Sequence, residues 1–287
     1  MKQSNKIKLI LAGTGHFSSQ IFESLILNKN FEVIALISQP NKAYDRNNNL
    51  IKTEVAKLAE KYHIKLFQPA KIKEIYDDLS KLDFDFFMTA AFGQFIPNSI
   101  LNLAKKASIN VHGSLLEKYR GAAPIQHALL NNEKETGISL IYMIDKMDAG
   151  DIINVAKIKI EENDTALEIF DKLAKLAIDN LPTWLINIYN NNIFPRKQDE
   201  SLATLAPKIQ NEEAQLFLTD SCDKALAKIK AFNDQPGAFI LINGKRLKIF
   251  RATKSKISTP LTLNFANGKL YLIEYQFEGK KKVKHEI

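Results

Sequence analysis

The chain has 287 residues, of which 45% are apolar, 25% charged and 9% aromatic, with a formal net charge of +8. Such proportions fit a globular protein of about two domains and exclude a disordered, collagenous or fibrous chain. No run approaches the roughly 18 consecutive apolar residues of a membrane span, and the stretch from Ile7 to Ala12 is too short for a signal-peptide core, so a cytoplasmic location is expected. The single cysteine, Cys222, cannot form an internal disulfide or a thiolate metal cage, and reads as a buried apolar residue.

Taken in chain order, Lys6 to Ala12 reads as a buried strand, Gly13 to Ser18 as a turn, and Ile21, Phe22, Leu25 and Ile26 recur at helical spacing. The alternation continues with a strand at Glu32 to Ile37, a helix at Thr53 to Tyr62, a short strand at Ile64 to Phe67, a helix near Ile72 to Leu82, and strands at Phe84 to Ala91 and Ser108 to Val111. This is the pattern of an α/β fold, a mostly parallel sheet with helices on both faces. Two further strands, Ile138 to Ile144 and Ile152 to Ile160, precede a helical stretch from Thr165 to about Asn190 that Pro182 should bend or restart.

Residues 190–206, rich in Asn, Asp, Pro and Ser, read as a linker between a catalytic domain at 1–189 and a smaller one at 207–287. Beyond them come a helix near Ser221 to Phe232, a hairpin around Asn243-Gly244, and another strand pair flanking Asn267-Gly268. A small β-rich domain is expected. Charge divides the same way, because residues 1–206 carry 25 basic against 24 acidic side chains, whereas 207–287 carry 15 against 8. A +7 segment beside a +1 segment suits a polyanionic partner, nucleic acid first, although a lysine-rich solvated surface would give the same count.

The turn Gly13-Thr14-Gly15 after the first strand invites a dinucleotide reading, but Ser18 stands where the fingerprint requires its third glycine. A more informative stretch is Asn110-Val111-His112-Gly113. Residues two apart on a strand share a face, so Asn110 and His112 point together at the carboxyl end of a strand, where open α/β sheets place their ligands. An amide donor beside an imidazole can stabilise a developing oxyanion and move a proton, as acyl transfer to nitrogen requires. Asp148, in the turn Met147 to Asp151, is a third candidate, although turn aspartates also serve backbone geometry.

The order Asn, His, distant Asp, together with the segments AFGQFIP (91–97), NVHGSLLEKYRGAAPIQ (110–126), ETGISL (135–140), MDAGD (147–151), ATLAPKI (203–209) and AFNDQPGAF (231–239), resembles the folate-dependent formyltransferases, and within them the branch acting on initiator methionyl-tRNA. The resemblance implies a Rossmann-like catalytic domain, an OB-like β-barrel after it, 10-formyltetrahydrofolate as donor and methionyl-tRNA as acceptor, in a monomer with no metal or redox cofactor. It assigns Asn110, His112 and Asp148 to catalysis, and Ser114, Leu115, Leu116 and Glu117, with Phe92, Gly93 and Pro97, to the folate site. Glu117 departs from the family's usual proline. For the tRNA the resemblance points to the loop Asn41 to Leu50, with Lys42 and Arg46, while strand alternation after the Asn-Gly turn adds Arg246 and Lys248. Asp148 would either orient the imidazole or draw the amine proton through a water. Two rival readings are an amino-sugar formyltransferase, which would not need the basic second domain, and a nucleic-acid-binding protein on an idle Rossmann domain, which would not need the three polar residues together.

Overall fold

The structure, a computed structural model, describes residues 6–41, 43–44 and 50–285, with the backbone alone at 43 and 44. The chain begins β1 (Ile7–Gly13), α1 (His16–Ile26), β2 (Phe31–Ile37), a short antiparallel pair β3 (Ala43–Tyr44) and β4 (Leu50–Ile51), α2 (Glu54–Lys61) and β5 (Lys65–Phe67). It continues with α3 (Tyr76–Ser80), β6 (Phe86–Ala90), α4 (Asn98–Leu101), β7 (Ala107–His112), α5 (Pro124–Leu130), β8 (Glu135–Tyr142), β9 (Ile152–Lys159) and α6 (Ala166–Tyr189). The last part holds α7 (Cys222–Ala231), β10 (Ala238–Ile242), β11 (Lys245–Thr253), β12 (Thr262–Phe265), β13 (Gly268–Phe277) and β14 (Val283–Lys284).

Seven strands form one sheet in the order β5-β2-β1-β6-β7-β8-β9, parallel from β5 to β7 and antiparallel between β7 and β8. Leu9, Ile10, Leu11 and Ala12 of β1 are all fully buried, the signature of a central parallel strand covered on both faces. Removing each large apolar side chain from water stabilises the sheet by about 1.5–3 kcal/mol. Strand β1 has β2 on one side and β6 on the other, so the strand order reverses there, and open α/β sheets place their ligands outside the carboxyl ends of such strands.

The turn after β1 shows why Ser18 replaces glycine. Ser18 is fully buried, its Oγ donates to the Ala90 carbonyl at 2.6 Å and accepts from the Thr14 N–H at 3.2 Å, fastening α1 to the end of β6. A Cβ on Gly13 would lie 2.4 Å from the Ser18 Cβ and 2.8 Å from that carbonyl oxygen, so the glycine serves close packing. Helix α2 starts where Thr53 caps it, its hydroxyl accepting from the Ala56 N–H at 3.1 Å, and carries Glu54 in its first turn and Lys61 in its last, matching the helix dipole.

Two helices differ from expectation. The stretch expected to be helical from Ile72 to Leu82 is a 3-10 turn, Ile72–Ile75, followed by the five-residue α3. Only Ile72 and Leu79 are buried there, an apolar stripe too sparse to hold a continuous helix. Conversely, α6 continues through Pro182 for 24 residues, so the proline does not restart the helix. Leu181 and Leu185 are fully buried and Trp184 and Ile188 nearly so, and packing on both sides of the proline outweighs its cost of about 3 kcal/mol.

The chain divides into two compact units that interleave in sequence: residues 1–122, 137–158 and 171–205 form the first, and residues 123–136, 159–170 and 206–287 the second. Most of the stretch expected to be a linker, up to Leu205, therefore belongs to the first unit. The second holds an antiparallel sheet in the order β10-β11-β13-β12, with β14 on β13. Asn243 and Gly244, at φ +50° and +77°, form the two-residue turn between β10 and β11, the left-handed geometry a tight hairpin requires. Leu247, Ile249, Leu270 and Leu272 are fully buried inside this sheet, and Cys222 is buried and free. Among the described residues no helix is long and apolar enough to cross a membrane.

Candidate active site

Strand β7 pairs with β6 so that Asn110 lies opposite Thr89, whose hydroxyl donates to the Asn110 side-chain oxygen at 2.7 Å. That bond sets the amide orientation: the oxygen faces Thr89 and the Nδ2 group faces outward, donating to Asp148 Oδ1 at 3.1 Å. His112, on the same face, is almost fully buried and its Nε2 lies 2.8 Å from the Tyr119 carbonyl oxygen. A carbonyl can only accept, so Nε2 carries a hydrogen and Nδ1 is the nitrogen left to exchange a proton. Nδ1 faces Asp148 Oδ2 at 3.5 Å.

Asp148 is thus the meeting point. Its Oδ1 takes the Asn110 amide, and its Oδ2 takes the Gly121 backbone N–H at 2.9 Å while facing the imidazole. The turn that presents it is unusual, with Asp148 at φ +50°, a left-handed conformation that aspartate tolerates better than most residues. Gly150 keeps the turn tight, because a Cβ there would sit 1.9 Å from the Tyr142 carbonyl oxygen. The three side chains that the sequence singled out are therefore brought into one cluster at the carboxyl end of β7. One hydrogen of Asn110 Nδ2 goes to Asp148, and the second has no partner among the described contacts, so an electronegative ligand atom can accept it.

The residues expected at the folate site lie in the segments that follow β6 and β7. Phe92 is buried in the core beside Ile96 and Ile100, and its carbonyl accepts from Thr14 Oγ1 at 3.2 Å and Gln39 Nε2 at 3.1 Å. Gly93 adopts φ +79°, which explains a glycine in this loop, and Pro97 precedes α4. Ser114 is fully buried and donates to the Lys118 carbonyl at 2.7 Å, Leu115 is half-buried, and Leu116 packs with Ile141 and Ile152. The side chains of Phe92, Ser114 and Leu116 face inward, so from these positions the backbone is what a ligand can meet.

Glu117 is the position where a charge replaces the family's proline, and the structure gives it partners. Its Oε1 accepts from Arg196 Nη1 at 2.5 Å and from the Asp199 N–H at 3.0 Å. Burial pushes this carboxyl up, but the Arg196 hydrogen bond and the Asp199 N–H outweigh it and hold the group below the usual carboxylate range. A depressed folded-state value means stability that is present above the ordinary glutamate range, near about pH 4.3, and lost as pH falls through the folded value. Because Arg196 is 55% exposed, screening limits the contribution to about 1 kcal/mol. Denaturation of Glu117→Gln beside the wild-type chain should show it less stable at neutral pH, with the gap closing in acid; a gap independent of pH would remove the charge from the explanation.

Among the residues expected to meet tRNA, Lys42 and Arg46 lie outside the described residues. Arg246 is exposed, with its guanidinium 4.4 Å from the centre of the Phe239 ring, and Lys248, half-buried, donates to the Pro236 carbonyl at 2.8 Å. Both alternate with the buried Leu247 and Ile249, so they share the outer face of β11.

An open α/β sheet that ends in a coupled amide, imidazole and carboxylate defines an enzyme able to move an acyl group onto a nucleophile. The chain belongs to the formyl transferase family: residues 5–185 match its formyl transferase domain and residues 208–286 its C-terminal domain. It is 52% identical to the methionyl-tRNA formyltransferase of Mycoplasmopsis pulmonis over 97% of this chain and 96% of that one. The fold is shared with the methionyl-tRNA formyltransferase of Clostridium thermocellum, with a TM-score of 0.66, 17% identity, and 94% of this chain and 98% of that one covered. It is shared too with an N-formyltransferase of Helicobacter canadensis in complex with folinic acid and dTDP-3-aminofucose, with a TM-score of 0.69, 22% identity, and 92% and 97% covered.

Proposed function

We infer that this protein transfers a formyl group to the α-amino group of methionyl-tRNA. The acceptor follows from 52% identity to a methionyl-tRNA formyltransferase across nearly the whole of both chains. The single observation that carries the chemistry is the convergence of Asn110, His112 and Asp148, with Asp148 within 3.1 Å of the amide and 3.5 Å of the imidazole. The donor is 10-formyltetrahydrofolate, which supplies an activated formyl carbon, and a formylated folate in the Helicobacter neighbour supports that choice. The acceptor is the initiator form of the tRNA, the enzyme works as a monomer, and it works in the cytoplasm, where translation starts.

The geometry supports the following roles. Asn110 Nδ2 donates its second hydrogen to the formyl oxygen as negative charge builds there during attack by the amine. His112 Nδ1 exchanges the proton that must leave the amine and reach the departing folate nitrogen. Asp148, which accepts from the Asn110 amide and faces Nδ1 at 3.5 Å, sets the imidazole orientation and stabilises the positive charge that forms there as the proton passes. Ser114 to Glu117 and the Phe92 to Pro97 loop border the donor, mainly through backbone groups. The first unit, to which residues 190–205 also belong, carries this chemistry, and residues 207–287 hold the tRNA.

Incubating the protein with the donor and methionyl-tRNA should yield N-formylmethionyl-tRNA; absence of product with intact substrates would defeat the reading. The tRNA surface has its own test. Phosphate contacts release counterions, so each one lost flattens the salt dependence of binding. Arg246→Ala with Lys248→Ala should weaken methionyl-tRNA binding and reduce the log–log salt slope by about one to two, with folate binding unchanged. An unchanged slope and affinity would move the contact elsewhere.

A further inference from the structure

Gln198 lies in the stretch whose composition reads as a linker, yet it makes four hydrogen bonds within the first unit. Its Nε2 donates to the Asp148 carbonyl at 2.8 Å and to the Gly150 carbonyl at 2.7 Å, and its Oε1 accepts from Arg120 Nε at 2.9 Å and Nη2 at 2.7 Å. The orientation is dictated by chemistry: two carbonyls need donors and a guanidinium needs an acceptor, so a flipped amide would oppose like with like on both sides. Every polar atom of the side chain is used, and the Asp148 turn is gripped at two of its carbonyls.

Arg120 is in turn anchored. It is almost fully buried, and its guanidinium contacts Glu200 at 3.0–3.2 Å, whose other partner is Lys146 at 2.7 Å. The Arg120 and Lys146 hydrogen bonds pull the Glu200 carboxyl down to about 2, so it stays charged at any working pH. The residues either side of Arg120 touch the reacting cluster directly: the Tyr119 carbonyl takes the His112 Nε2 hydrogen, and the Gly121 N–H donates to Asp148 Oδ2. Residues 119–121 therefore hold the imidazole and the carboxylate, and Gln198 ties that segment to the turn on which Asp148 rides. The turn needs such a tie, because its left-handed Asp148 is not a conformation the backbone adopts readily by itself.

We propose that Gln198 is a positioning residue for formyl transfer, keeping the Asp148 carboxylate in register with Asn110 and His112 through its bonds to the Asp148 and Gly150 carbonyls. This rests on the reading of Asp148 as part of the reacting cluster. Misplacing such a group by about 1 Å lowers turnover by up to about 10²-fold, and the loss falls on kcat because every polar atom of the Gln198 side chain is already bonded within the protein.

The test uses Gln198→Glu, which keeps the shape and the acceptor for Arg120 but has no hydrogens for the two carbonyls, alongside Gln198→Ala. Both are measured in the wild-type and the Asp148→Ala backgrounds for kcat, for KM of each substrate and for thermal stability. In the wild-type background Gln198→Glu should lower kcat by about 10- to 100-fold with both KM values little changed. In the Asp148→Ala background the same substitution should leave kcat where it already is, while its effect on melting persists, since only the first depends on Asp148. A multiplicative loss of kcat in both backgrounds, or normal kcat for Gln198→Glu, overturns the positioning role. Normal kcat for Asp148→Ala alone overturns instead the reading on which it rests.

Discussion

Asn110→Ala is expected to lose about 10²–10³ in kcat, equivalent to about 2.7–4 kcal/mol of transition-state stabilisation, while the fold and the KM for tRNA stay near their wild-type values. The reason lies in how the amide is held. Thr89 fixes its oxygen and Asp148 takes one Nδ2 hydrogen at 3.1 Å, so the remaining hydrogen is aimed before any substrate arrives and needs no reorganisation when charge develops. Alanine removes that donor from a half-buried position and introduces no new charge. Steady-state kinetics beside a thermal melt would check it. Turnover close to normal in a folded Asn110→Ala would mean that the oxyanion is stabilised by some other group.

The larger effect should come from His112 and Asp148. Each single alanine variant is expected to lower kcat by about 10²–10⁴-fold, and the double variant to be scarcely worse than the poorer single. Non-additivity follows from the geometry: Nε2 is committed to the Tyr119 carbonyl, so Nδ1 is the only proton-exchanging atom of the ring, and it faces the Asp148 carboxylate. Without the carboxylate the proton-exchanging side of the ring has lost the charge that faces it, and without the imidazole that charge has no proton transfer to assist. Full double-mutant cycles measured on kcat would show this coupling. If the losses multiply, or appear only in KM for tRNA, the two residues belong to separate functions or to binding.

How much of this was legible in the sequence depends on the range of the interaction. Asn110 and His112 were visible because a period of two puts them on one strand face, and the Asn243-Gly244 turn because its residue types match its left-handed backbone. Asp148 could be placed in a turn, but its approach to Asn110, 38 residues away, had no local signal beyond the family resemblance. Composition concealed Gln198: polar, proline-containing residues at 190–206 look like a connector, while the partner that organises them, Arg120, is 78 residues earlier. Local propensity left open whether Pro182 restarts the helix, and the buried leucines around it, held by tertiary packing, are what carry the helix through. Glu117 looked only like a missing proline until Arg196 and the Asp199 N–H were seen to receive its charge.

One measurement meets the central assignment most directly. Wild-type protein and Asn110→Ala are each incubated with 10-formyltetrahydrofolate labelled in the formyl carbon, against methionyl-tRNA, other aminoacyl-tRNAs and a dTDP-amino sugar, and the rate of label entering each acceptor is recorded. The expected result is rapid transfer to methionyl-tRNA by the wild-type protein, slowed by about 10²–10³ in the variant, with no comparable transfer to the amino sugar. Label passing to the amino sugar in preference to methionyl-tRNA, or reaching methionyl-tRNA equally fast with and without the Asn110 amide, would contradict it.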